Sequence, residues 1–195
     1  ELVGVIARLR HHRDDLAGAR VHGDDRTLHI AINLCADDIK SGRVLAVIAS
    51  KLQHTDIRPE QIWLEATERG FIDINAAKVT LTEARQRGHS VAIDDFGSGY
   101  SNWNYLRALP ASSVKLDRSL LRDLADPADR RLTRTIIELA RELGYRVVAE
   151  GIETPETQAL VHAWGCHEGQ GFLFSRARPL CEIDFDVTHE RQGIE

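Results

Sequence analysis

Strand-like and helix-like segments alternate along most of this chain, and polar residues recur where the strands end. Residues 28–34 are β-rich and alternating, and residues 37–53 carry Leu45, Ile48 and Leu52 at helical spacing. A strand over 61–67 reaches Glu65, and residues 75–87 read as a helix closed by Gly88. Short apolar strands over 90–93 and 112–116 bring Asp94-Asp95 and Lys115. Residues 128–143 form an amphipathic helix with Leu132, Ile136, Leu139 and Leu143 on one expected face. A strand over 145–149 ends in Glu150, Thr154-Pro155 opens a further helix, and residues 169–174 read as the last strand.

Such alternation predicts a parallel sheet with crossover helices, either open and doubly wound or closed as a (β/α)8 barrel. The polar residues choose between them. Asn33, Glu65, Asp94, Lys115, Glu150 and Gln170 follow one another at gaps of 32, 29, 21, 35 and 20 residues, about one βα unit each. A barrel gathers its strand ends at one mouth, whereas an open sheet spreads them along a line. The expected fold is therefore an α/β TIM-like barrel. At 195 residues the chain is short for that fold, and the shortfall is expected in its N-terminal part. The whole chain, 1–195, reads as one domain.

An oxygen-rich mouth suits a hard divalent cation such as Mg²⁺, Mn²⁺ or Ca²⁺ rather than Zn²⁺. Asp94 and Asp95 are adjacent, so a regular strand would point them to opposite faces. A turn into Phe96-Gly97-Ser98-Gly99 swings both towards the mouth, where two carboxylates repel unless a cation lies between them. Two metals about 3.5–4 Å apart would stabilise the attacking and leaving oxygens of a phosphodiester displacement. Lys115 adds a fixed positive charge, and Glu150 is a candidate ligand or general base.

These residues resemble the EAL domain, the family of bacterial cyclic-di-GMP phosphodiesterases. Ile32-Asn33-Leu34, Leu64-Glu65-Ala66-Thr67-Glu68, Asp94-Asp95-Phe96-Gly97-Ser98-Gly99-Tyr100-Ser101, Val114-Lys115-Leu116-Asp117, Ala149-Glu150-Gly151-Ile152-Glu153 and Gly169-Gln170-Gly171-Phe172 match its motifs in order. The resemblance implies a barrel that binds cyclic-di-GMP and hydrolyses it to linear pGpG with Mg²⁺ or Mn²⁺. By that resemblance Asn33, Glu65 and Asp94 hold the first metal and Asp95 the second. Lys115 holds the nucleophilic water, and Glu150 is the general base or a metal contact. Arg8 and Gln170 are similar to substrate contacts, while Glu68, Asp117 and Glu153 support the loops. The family also implies a homodimer through the Asp95–Tyr100 loop region.

One motif departs. Placing Arg8 on the motif arginine puts Gly4 where the signature glutamate belongs, and placing Arg10 there puts Ile6 in its place. Neither supplies a carboxylate, and only 28 residues lie between Gly4 and Asn33. Fewer anionic ligands weaken a hard-cation site. Three readings thus stand: a phosphodiesterase, a degenerate domain acting as a cyclic-di-GMP receptor, and a protein-interaction module.

Charge narrows the partners. The net charge is −5, and the basic residues are scattered, so a DNA or RNA partner is not expected. No apolar run approaches a membrane span, so no membrane contact by this domain is expected. Three cysteines without a CxxC pair read as reduced thiols. The absence of methionine leads us to expect a piece of a longer protein. The wording of residues 67–71 and 87–89 is similar to EAL domains attached to membrane-anchored sensors, which implies a cytoplasmic domain of such a protein. His162, Cys166 and His167 have poor spacing for a soft-metal site and read as surface or core, as do Trp63 and Trp164. Trp103 and Tyr105 read either as a dimer surface or as core.

Overall fold

Seven parallel strands pair in chain order, β1 (Ile6–Leu9), β2 (His29–Leu34), β3 (Ile62–Thr67), β4 (Ser90–Phe96), β5 (Ser113–Leu116), β6 (Arg146–Glu150) and β7 (Glu168–Gln170). The computed structural model describes residues 6–9, 29–67, 70, 71, 73–98 and 103–176, with 6–9 and 103–105 described as backbone only. Between the strands run α1 (Ala36–Ser41), α2 (Arg43–Leu52), α3 (Ile74–Gln86), α4 (Trp103–Ala108), α5 (Pro127–Glu142) and α6 (Pro155–Ala163).

The sheet curls. In a flat sheet β2 and β7 would lie about 24 Å apart, at roughly 4.8 Å per strand. Instead the Glu168 carboxylate on β7 and the Arg146 guanidinium on β6 both act on the His29 imidazole of β2. Lys115 on β5 likewise reaches Glu65 on β3 at 3.0 Å. Only a partly closed barrel brings these strands face to face. The expected eighth strand is not among the described residues.

Period-two alternation sorts each strand into an inward and an outward face. Glu65, Asp94, Lys115 and Glu150 meet one another, so their parity points inward. The opposite parity (Ile30, Leu34, Ile62, Leu64, Val91, Ile93, Val114, Leu116 and Val147) is buried outward, under the helices. Ile39, Leu45, Ile48, Leu81, Ile136, Ile137 and Val161 complete that layer from the helix side. Most of the apolar core therefore lies between sheet and helices. The inward face carries Ala31, Ala92 and Ser113 with the polar cluster, and Trp63, which packs on His29.

Several expectations shift. The single helix expected over 37–53 is two, broken at Gly42, whose φ of 63° ends α1 in the left-handed region. The strand expected over 169–174 stops at Gln170. Residues 171–174 turn instead, with Leu173 N donating to Ile152 O and Phe174 N to Gly171 O. On α5 the buried face is Thr133, Ile136, Ile137 and Ala140. Leu132, Leu139 and Leu143 lie on the exposed flank, 39–53% accessible. Trp164 and Cys166 are buried, Trp63 is half-buried, and His162 and His167 are exposed. Burial pushes the Cys166 thiol up to about 12, which keeps it protonated. Cys181 and the side chains of Trp103 and Tyr105 lie outside the described residues.

Candidate active site

The strand register lines up the mouth. Asn33 pairs with Glu65, Thr67 with Asp94, and Glu150 with Gln170. At the centre stands Lys115, 1% exposed, with Nζ 2.7 Å from Glu150 Oε1, 2.8 Å from Asp94 Oδ1 and 3.0 Å from Glu65 Oε1. An ammonium has three N–H donors, and three carboxylates surround this one. Burial by itself would push the Lys115 ammonium down. The facing charges of Glu150, Glu65 and Asp94, with the hydrogen bond to Asp94, outweigh it and hold the pKa above the ordinary lysine value. Lys115 therefore stays charged at any physiological pH.

Glu150 is held twice on one oxygen. Its Oε1 accepts from Lys115 Nζ and also from Gln170 Nε2. Two donors from two strands fix the carboxylate's orientation, which a general base or a ligand requires.

Asp95 joins the site by a backbone device. It is the one non-glycine residue with positive φ among those described, at 56°. The β4–β5 pairing shifts register between Ile93 and Phe96 at the same place. Such an irregularity re-aims a side chain within a strand. Asp94, Asp95 and Glu150 thus offer carboxylate oxygens within 4.8 Å of one another. The swing expected beyond the strand end takes place inside β4, which runs on to Phe96.

Charge decides what this mouth suits. Glu65, Asp94, Asp95 and Glu150 bring four carboxylates against one ammonium. The donor set is all oxygen, and the Asp94–Asp95–Glu150 group is compact enough to share one ion. These residues fit a hard divalent cation.

The remaining site residues fall as follows. Asn33 is half-buried beside Glu65 in the register. Arg8 pairs with Ala31, one inward layer below Asn33, and its side chain lies outside what is described. Ile6 pairs with His29 at the opposite end of the barrel, and residues 6–9 contain no carboxylate. Gly4, Arg10, Glu68 and Tyr100 lie outside the described residues. Asp117 caps a short 3₁₀ turn, Arg118–Leu121, accepting from Ser119 N at 2.9 Å. Glu153 is exposed on the way into α6, whose N-terminus is capped by Thr154. Sequence reading did not single out Leu120, which lies against Gly97, or Thr133, which donates to the Leu120 carbonyl. Their role depends on a close approach that no motif spells out.

A curled parallel sheet with an acid-and-lysine cluster at its C-terminal mouth defines an α/β barrel protein whose mouth fits a hard cation. The EAL domain model matches residues 6–177, and the chain belongs to that family. It is 45% identical over 170 residues to a protein of Pseudomonas aeruginosa named "Cyclic di-GMP phosphodiesterase PA2567", covering 86% of this chain and 29% of that protein. It resembles the solved structure titled "PaMucR Phosphodiesterase, c-di-GMP complex" with a TM-score of 0.72 and 36% identity, over 78% of this chain and 62% of that one. A Klebsiella pneumoniae structure, "BlrP1 pH 6 manganese/cy-diGMP complex", matches with a TM-score of 0.66 and 30% identity, over 77% of this chain and 39% of that one. The chain thus spans under a third of the length of the P. aeruginosa relative. Among the described residues, no helix is long and apolar enough to cross a membrane.

Proposed function

We propose that this chain is the phosphodiesterase domain of a longer bacterial signalling protein and hydrolyses cyclic-di-GMP to linear pGpG with Mg²⁺ or Mn²⁺. The observation that carries the reading is the buried cluster of Lys115 with Glu65, Asp94 and Glu150, and Asp95 beside it, at the mouth of an EAL barrel. Asn33, Glu65, Asp94 and Asp95 would hold the metal. A divalent cation there supplies a Lewis acid for a phosphoryl oxygen and lowers the pKa of bound water. In this reading Glu150, oriented by Lys115 and Gln170, takes the proton of the attacking water. Lys115 keeps its charge throughout and, once a metal draws one of its three carboxylates away, holds that water against the phosphate. Arg8 and Gln170 contact the substrate. The Asp95–Tyr100 loop supports a homodimer, which sedimentation with and without nucleotide measures. The domain works in the cytoplasm.

One observation keeps a receptor reading in view: neither Gly4 nor Ile6 supplies the family's signature carboxylate. Incubation with cyclic-di-GMP and Mn²⁺ or Mg²⁺, with products separated by chromatography, discriminates. A pGpG product that disappears with EDTA supports the enzyme. Calorimetric binding of cyclic-di-GMP without product makes the domain a receptor. Neither binding nor product overturns both.

A further inference from the structure

Asp95 is the one non-glycine residue among those described whose backbone is held in the left-handed region. A non-glycine residue is disfavoured in the left-handed region, Asp less than most. Such a residue persists only where its surroundings over-determine it. Two ties from one neighbouring element do so. Asp117 N donates to Phe96 O at 2.9 Å, joining the end of β5 to the residue after Asp95. Leu120, on the Arg118–Leu121 turn that Asp117 caps, then lies directly against Gly97. A Cβ at Gly97 would come within 2.3 Å of Leu120 Cδ1, and Gly97 itself has φ 99°. Leu120 thus occupies the space a side chain at position 97 would need. Between these ties the 95–98 turn closes by Ser98 N donating to Asp95 O at 3.3 Å.

Leu120 is itself clamped from behind. Its N–H donates to Asp117 O at 3.0 Å, and its carbonyl accepts from Thr133 Oγ1 of α5 at 2.7 Å. Thr133 is 1% exposed and Leu120 half-buried, so the bond sits at the edge of the core. The contacts form a continuous line from the buried face of α5 through Leu120 and Gly97 to Asp95. None of Thr133, Leu120 and Gly97 is a candidate ligand.

We propose that Leu120 is a positioning residue for the metal site: its side chain, seated on Gly97, holds Asp95 turned into the mouth. This rests on the cation site proposed above. Leu120→Ala removes the seat, so the Asp95 backbone relaxes towards the extended form its strand favours and its carboxylate leaves Asp94 and Glu150.

The test is Mn²⁺ binding by calorimetry to the metal-free chain, without nucleotide, for wild type, Leu120→Ala, Asp95→Ala and the double variant. We expect Leu120→Ala to weaken Mn²⁺ about tenfold and to have no further effect once Asp95 is Ala, as a double-mutant cycle measures coupling. Leu120→Met, which refills the seat, restores wild-type affinity. Leu120→Val, a milder truncation, gives an intermediate loss and serves if the alanine variant does not fold. Wild-type affinity in folded Leu120→Ala or Leu120→Val overturns the proposal. So does an equal loss in the Asp95→Ala background, which would mean Leu120 acts on the fold at large. If the wild type binds no Mn²⁺, the cation site itself fails, and the proposal with it.

Discussion

The two ends of the barrel each pair a base with acid, and the pairs behave in opposite ways. At the mouth, Lys115 meets three carboxylates at 2.7–3.0 Å and is 1% exposed. At the floor, Arg146 donates to Glu168 Oε1 from both Nε and Nη2, at 3.1 and 2.5 Å, yet its side chain is 58% exposed. The distances are alike, and the dielectric is not. Water screens the floor pair and substitutes for either partner, so it adds little to stability. The mouth has no such substitute, so each charge there depends on the others. The mouth also carries an excess of negative charge, which the floor pair does not.

The largest expected effect comes from removing the mouth's cation. Lys115→Met leaves Glu65, Asp94 and Glu150 buried without it, at a cost of about 3–5 kcal/mol by the usual loss of one buried partner. Thermal or urea unfolding measures it. Added Mn²⁺ should recover part of the loss, because it restores positive charge. Arg146→Ala, the matching deletion at the floor, should cost under about 1 kcal/mol. Equal costs would show that burial does not separate the two ends.

Asp94→Asn should next reduce metal-dependent cyclic-di-GMP turnover by more than about 10²-fold, beyond the loss typical of residues behind the ligands. The fold should survive, since Lys115 keeps Glu65 and Glu150. Initial rates by product chromatography, with circular dichroism alongside, check both halves.

A smaller effect is expected with pH. Burial holds the His89 imidazole below its ordinary value, with Nδ1 3.0 Å from Pro59 O. The folded chain resists the proton that the unfolded chain accepts, so stability falls as pH drops below about 6.5. His29 and His167, also lowered by burial, add with the same sign. Lys115 has the opposite linkage. Its pKa is raised, so its contribution is fully present below about 10.5 and is lost only as pH climbs through the raised value. Melting curves from pH 5 to 9 should show an acid-side decline that His89→Gln reduces.

The mouth was legible in the sequence because it rests on register. Gaps near one βα unit bring Asn33, Glu65, Asp94, Lys115, Glu150 and Gln170 to strand ends without detailed geometry. What was misread depends on contacts instead. The 37–53 helix looked continuous because Leu45, Ile48 and Leu52 keep helical spacing past Gly42. Phe172-Leu173-Phe174 looked like strand because apolar runs do not reveal a turn held by Ile152 O. On α5 the leucines stood out, but the smaller Thr133 and Ala140 fit the space against the sheet. The turning of Asp95 was anticipated, while its seat, Leu120 on Gly97, joins residues 23 apart that no periodicity relates.

If the mouth is a divalent-cation site assembled around Asp94, the melting temperature must depend on Mn²⁺ concentration. A bound cation stabilises the folded chain in proportion to the logarithm of its concentration over Kd. The melting temperature should climb with Mn²⁺ in the wild type and stay flat in Asp94→Asn. A flat wild-type curve, or the same climb in both, would contradict it.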